Sequence, residues 1–144
     1  MTPITIRLGT PDDFAIVYNF INLLEYGILD EATQRRVFNE NLKDNNVIYL
    51  LALTDGKPLG FLSLHIQNLL HHGGKIGEIQ ELFVAEHARG LGIGKQLTDA
   101  IKEMAGKRGV IQVEVTSRLA RHDAHRFYER EGFTFTHKKF LYKL

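Results

Sequence analysis

The sequence predicts a mixed α/β fold, α+β in its layering: a central, mostly antiparallel sheet flanked by about four helices. Three observations predict it. Apolar residues alternate with polar ones in short runs bounded by turn residues, the mark of strands. Between those runs, apolar residues recur at helical spacing. One passage, from Ile76 to Val115, reads strand, helix, strand, which supplies a single parallel crossover in an otherwise antiparallel order. The 144 residues, 44% hydrophobic and 24% charged, suit one domain over 1–144 with a real core.

Each element follows in order. Ile4, Ile6 and Leu8 alternate with polar residues and give a short first strand. Thr10-Pro11-Asp12-Asp13 opens a helix: Thr10 can cap, Pro11 suits the first position, and the aspartates complement the positive helix pole. Phe14, Val17, Ile21 and Leu24 form its apolar face. A second helix is expected over 30–42, broken by Asn45-Asn46. Val47 to Leu53 and Pro58 to Ile66 are strands joined at Thr54-Asp55-Gly56-Lys57, where Asp-Gly tolerates the backbone angles of a tight hairpin. A turn at His71-His72-Gly73-Gly74-Lys75 leads to a strand from Ile76 to Val84. The next helix carries Ile93, Leu97, Ile101 and Met104 on one face and stops at Lys107-Arg108-Gly109. A strand at Val110 to Val115, a helix at His122 to Glu131 stopped by Gly132, and one or two closing strands within Phe133 to Leu144 complete the order.

Composition excludes several function classes. A net charge of +1 argues against nonspecific nucleic-acid binding, which needs a basic excess. With no cysteine, disulfides, thiolate metal sites and cysteine nucleophiles are out. No apolar window approaches a membrane span, and the start Met1-Thr2-Pro3-Ile4 lacks the pattern of a signal peptide, so a cytoplasmic location is expected.

The chemistry begins at Arg89-Gly90-Leu91-Gly92-Ile93-Gly94, between a strand and a helix. Unsatisfied N–H groups of a first helical turn point at an anion, and glycines let it approach the backbone. A P-loop is excluded because Gln96 follows Gly94-Lys95, and Gly-x-Gly-x-x-Gly is met from neither Gly90 nor Gly92. The run does match the Gln/Arg-x-x-Gly-x-Gly/Ala signature of the GNAT acetyltransferases, as Arg89, Gly92 and Gly94. Glu78-Ile79-Gln80-Glu81-Leu82-Phe83-Val84 resembles that family's fourth strand, and Ala124-His125-Arg126-Phe127-Tyr128-Glu129-Arg130-Glu131-Gly132-Phe133 its closing motif. The element order is also the family's, from end to end.

The resemblance implies acetyl-CoA as cosubstrate. Arg89, Gly90, Leu91, Gly92, Ile93, Gly94 and Lys95 would hold its pyrophosphate, and the strand at Leu82, Phe83 and Val84 would pair with the pantetheine arm and offer an amide to the thioester carbonyl. Direct transfer to an amine also needs a base and an acid. Tyr128 stands where the family places its general acid. Glu78 and Glu81 are the candidate bases, with Glu78 favoured; on a regular strand they would face opposite sides, unless a bulge intervenes.

The acceptor is implied by a departure from the usual pattern. Arg121 occupies the place where many members carry asparagine, three residues before Ala124, within Arg118-Leu119-Ala120-Arg121-His122. Cationic groups at a helix N-terminus suit an anion. The neighbourhoods of Glu78, Arg89 and Arg121-His122, together with Leu69-Leu70-His71-His72, resemble the branch of the family that acetylates aminoalkylphosphonates. That implies a small primary amine carrying a phosphonate, with Arg118, Arg121 and His122 at its binding site. Two alternatives stand beside it: a family member acting on a polyamine, aminoglycoside or amino acid, and a non-catalytic acyl-CoA-binding module. The seven histidines raise a divalent metal, but their spacing supports no ligand set. A homodimer is expected by analogy with the family.

Overall fold

Alternation and turn chemistry yield five strands in the computed structural model, which describes residues 2–144. They are β1 (Thr5–Leu8), β2 (Val47–Thr54), β3 (Lys57–Leu69), β4 (Gly74–Val84) and β5 (Val110–Val115), and they lie in that order across one sheet. The first three pairings are antiparallel and β4–β5 is parallel, as the single crossover requires. The helices are α1 (Phe14–Glu25), α2 (Glu31–Leu42), α3 (Ile93–Lys107) and α4 (His122–Arg130).

Register assigns the two faces. Tyr49 lies opposite Ser63 and Ser63 opposite Glu81, so all three share a face with Phe61 and Phe83. Helices α1 and α2 cover that face through an aromatic chain: Phe14 meets Phe38 at 5.6 Å, Phe38 meets Tyr49 at 5.5 Å, and Phe20 meets Phe83 at 5.0 Å between ring centroids. The opposite face packs on α3, whose Ile93, Leu97 and Ile101 are fully buried. Burying each such side chain contributes about 1.5–3 kcal/mol. Gly60 lets α3 come close, since a β-carbon there would stand 2.8 Å from the Phe83 carbonyl and 3.2 Å from Ile93 and Leu97.

Two expectations are corrected. The Thr10 segment starts not as α-helix but as a 3-10 turn, Pro11–Asp13. Asp13 does more than face the helix pole: its buried carboxylate takes Arg7 in a two-pronged pair at 2.7 and 2.9 Å and also accepts from the Thr10 N–H at 2.7 Å. The Arg7 hydrogen bonds hold its carboxyl below the usual aspartate range, against the opposing pull of burial. The second correction concerns the C-terminus. Phe133 to Leu144 forms no strand, although its alternation is strand-like. A strand needs a partner, and the outer edge of β5, the neighbour available to it, stays unpaired.

Candidate active site

The β3–β4 register slips once. Ser63 pairs with Glu81 and Leu64 with Ile79, which leaves Gln80 as an extra residue in β4. This bulge reverses the side-chain parity downstream of it. Glu78, opposite His65, and Glu81, opposite Ser63, therefore share a face instead of opposing one another. The bulge also marks the point where β4 and β5 separate. Their pairing ends at Ile79 with Val115, so the outer edge of Gln80 to Val84 is free while the inner edge stays bound to β3. Leu82, Phe83 and Val84 thus present a one-sided strand, the shape that an extended thioester arm can pair with.

Beyond Val84 the chain makes a short 3-10 turn, Glu86–Ala88, and enters the glycine run. Gly90 and Gly92 both adopt φ of +80°, a conformation that costs other residues energy, and nothing crowds the space a side chain would fill. Gly92 caps α3, and its carbonyl accepts from the Gln96 N–H at 3.1 Å. The N–H groups of Leu91, Gly92, Ile93, Gly94 and Lys95 find no acceptor among the described residues. Such a row at a helix start is suited to an anion. Arg89 is exposed beside it, its Nε donating to the Val84 carbonyl at 3.2 Å, so it ties the loop to the free end of β4. Gly94 has a different task. A β-carbon there would stand 3.0 Å from the Phe127 ring of α4.

Helix α4 is braced on α3. Lys102 donates to the Glu131 carbonyl at 2.6 Å and lies 5.1 Å from the Phe133 ring centroid, and Lys95 meets the Glu131 carboxylate at 3.5 Å. Tyr128 is half-buried there, packed edge-on against Phe133 at 5.7 Å. Burial pushes its hydroxyl pKa up, and the nearby positive charge of Arg121 opposes that. The phenol is therefore protonated at neutral pH, the state a general acid needs.

On the α1–α2 face, a cavity of about 300 Å³ is lined by residues that include Tyr18, Gln34, Asn41, Tyr49, His65 and Glu81. Glu81 lines it; Glu78 does not, and lies 3.5 Å from the Thr116 hydroxyl instead. The buried Ser63 hydroxyl donates to the Glu81 carboxylate and accepts from the Glu81 N–H at 3.0 Å, fixing that side chain. The Asn41 side-chain amide donates to the Tyr49 hydroxyl at 2.7 Å; burial raises the Tyr49 pKa, the Asn41 bond lowers it, and the Glu81 charge raises it further.

Of the cationic candidates, Arg118 is engaged by Glu25 at 2.8 Å, 93 residues away in sequence. Glu25 lies one helical turn beyond Ile21, which lines the cavity, while Arg118 itself is exposed and does not line it. Arg121 and His122 are exposed at the start of α4. His122 and His125 stand 5.8 Å apart and His71 and His72 4.2 Å apart, but no group of three His, Asp or Glu side chains among the described residues could hold a metal. Two residues escaped the sequence reading. Ser63 is a lone hydroxyl in the apolar run Phe61-Leu62-Ser63-Leu64, and that interruption was its signal. Ser117, after β5, has a solvent-shielded hydroxyl with no hydrogen-bond partner among the described residues, and nothing in the sequence singled it out.

Comparisons with known proteins identify the family and the fold. Residues 15–133 match the model of the acetyltransferase (GNAT) family. An aminoalkylphosphonate N-acetyltransferase of Salmonella typhimurium is 44% identical over 94% of this chain and 88% of its own length. Among solved structures, a transcriptional regulator from Bacillus halodurans superposes with a TM-score of 0.91 at 27% identity, covering 99% of this chain and 100% of that one. The aminoglycoside N-acetyltransferase AAC(6')-Iy, solved with CoA, gives 0.90 at 18% identity over 100% of this chain and 96% of its own, a likeness of fold.

Proposed function

The chain belongs to the GNAT acetyltransferase family and is an acetyl-CoA-dependent N-acetyltransferase; from that premise we propose that its acceptor is the primary amine of a small aminoalkylphosphonate. The observation that carries the acceptor is the near full-length likeness to the Salmonella enzyme of that name. The exposed guanidinium groups of Arg118 and Arg121, with the His122 ring beside them at the start of α4, support it, because a phosphonate is a dianion in want of such groups. For Arg118 the phosphonate would displace Glu25, exchanging one anion for another.

The steps follow from what each group can do. The free N–H row from Leu91 to Lys95, with Arg89, binds the pyrophosphate. The open edge of Leu82, Phe83 and Val84 pairs with the pantetheine arm and sets an amide against the thioester oxygen. The neutral amine attacks the carbonyl carbon in a ternary complex: the C–N bond forms, the C–S bond breaks, and the departing thiolate takes a proton from Tyr128. The amine's proton goes to a strand carboxylate, directly or through water. The sequence favours Glu78 as the base; the cavity and the Ser63 hydrogen bond favour Glu81, which lines the cavity and is held in place there. A cytoplasmic setting and a part in phosphonate metabolism complete the proposal.

One observation favours a second reading. The residues lining the cavity include Glu81 but no lysine or arginine, which suits a cationic acceptor such as a polyamine or aminoglycoside. Thiol release from acetyl-CoA, measured against aminoalkylphosphonates, polyamines, aminoglycosides and amino acids, decides between them. Turnover is expected with the phosphonates. Turnover confined to amines without phosphonate overturns the acceptor, and cofactor binding with no turnover on any amine overturns catalysis itself.

A further inference from the structure

Two phenols line the cavity on the α1–α2 face, and their hydroxyl protons have different fates. The Tyr18 hydroxyl donates to the Leu29 carbonyl at 2.6 Å, so its proton is spent inside the chain. The Tyr49 hydroxyl instead receives a hydrogen bond, from the Asn41 side-chain amide at 2.7 Å. A phenol has one proton to give, and among the described residues no acceptor takes it from Tyr49. The Tyr49 ring is buried, stacked on Phe38 at 5.5 Å and edge-on to Phe61 at 5.3 Å, so its hydroxyl has a fixed position. Burial pushes its pKa up, and the proton stays in place at neutral pH.

Register sets this donor against Glu81. Tyr49 pairs with Ser63 and Ser63 with Glu81, so Tyr49 and Glu81 share a face two strands apart, about 10 Å between backbones. Both line the same cavity, and the Glu81 charge is felt at the Tyr49 hydroxyl. One end of the cavity thus holds a carboxylate able to take a proton, and the other a phenol with a proton to offer. That pair suits a small molecule with an amine at one end and an anion at the other. A neutral donor also spares the site the cost of burying a cation. The absence of lysine and arginine from the lining is therefore no bar to an anionic group.

We propose that Tyr49 determines acceptor specificity: its hydroxyl donates to a phosphonate oxygen, and Asn41, by occupying a lone pair of the phenol, turns that proton into the cavity. The inference rests on the aminoalkylphosphonate reading of the acceptor. Asn41 is a positioning residue, acting on the substrate only through Tyr49. A cationic far end, such as the second ammonium of a polyamine, offers the proton no lone pair and leaves it unsatisfied. Such amines are rejected by a missing hydrogen-bond acceptor as well as by charge.

Steady-state kinetics on aminomethylphosphonate and 2-aminoethylphosphonate test this. Tyr49→Phe keeps the ring packing and removes only the hydroxyl. It should raise the acceptor KM about 10–100-fold, the range for a hydrogen bond to a charged partner, while kcat and the acetyl-CoA affinity hold. Asn41→Asp gives the phenol an acceptor and draws the proton out of the cavity, so it should raise KM as far as Tyr49→Phe does. Asn41→Leu cannot draw the proton away and should raise KM less. The double variant Tyr49→Phe/Asn41→Asp separates this effect from plain charge repulsion: it should be no worse than Tyr49→Phe alone. An unchanged KM in Tyr49→Phe overturns the inference and leaves the acceptor reading intact. Losses that multiply in the double variant, or equal losses in Asn41→Leu and Asn41→Asp, overturn the part given to Asn41. A wild-type enzyme that acetylates other amines but neither phosphonate overturns both the acceptor reading and the inference.

Discussion

The two halves of the site are built from different materials. On the proposed cofactor side, from Gln80 to Lys95, the groups are backbone: a free strand edge, a row of unpaired N–H groups and two glycines at positive φ. On the proposed acceptor side they are side chains from elements far apart in sequence: Glu81 held by Ser63, Tyr128 on α4, and Arg118 paired with Glu25. A backbone site recognises what every acetyl-CoA shares, the phosphates and the amide-bearing arm. A side-chain site can be re-specified one residue at a time, and this is why one fold serves many amines.

Substitutions should separate the halves. The largest effect belongs to Tyr128→Phe, which removes the acid but leaves the backbone site alone. It should lower kcat by about 10²–10⁴-fold with unchanged acetyl-CoA affinity by calorimetry; a matching loss of cofactor binding would merge the two halves. Next comes a change outside both. Asp13→Asn breaks a buried pair, a disruption that costs about 3–5 kcal/mol when both partners are fully buried. Because Arg7 is 39% exposed, about 2 kcal/mol is expected in urea unfolding at pH 7. The sign is fixed by the lowered carboxyl pKa. The stabilisation is complete above the unfolded aspartate's value of about 3.9 and is lost as pH falls through the lower folded value. The variant should therefore show a weaker dependence of stability on acid.

Gly92→Ala strains a backbone held at φ of +80° by about 1–2 kcal/mol. It should weaken acetyl-CoA binding roughly tenfold while kcat at saturation holds, the mirror image of Tyr128→Phe. Smallest is Arg121→Ala, expected to raise the acceptor KM several-fold without touching the cofactor. It carries a second readout. The Arg121 charge lowers the Tyr128 pKa, so its removal should move the alkaline limb of the pH–rate profile to higher pH. A limb that stays put would detach Arg121 from the acid.

The same division explains what could be read in advance. The strand and helix order from Thr5 to Arg130 follows from local periodicity and turn residues, and the anion site follows from three glycines within five residues. Both are short-range facts. The side-chain half depends on contacts between distant segments: Ser63 with Glu81, and Glu25 with Arg118. The Gln80 bulge could be anticipated in kind but not placed, and its position decides that Glu78 and Glu81 share a face. The tail shows the limit from the other side. Its alternation is strand-like, but a strand is completed by hydrogen bonds to a neighbour, and those lie outside any local pattern.

Gly94 joins the halves. With only hydrogen between the phosphate-binding turn and the Phe127 ring, the first turn of α3 rests directly on the helix that carries the next residue, Tyr128. The missing methyl works as a shim: its thinness sets how far the phenol stands from whatever the turn has gripped. A thicker residue would shift the acid relative to the thioester without touching either. In the proposed mechanism, cofactor grip and proton delivery are thus calibrated at one point.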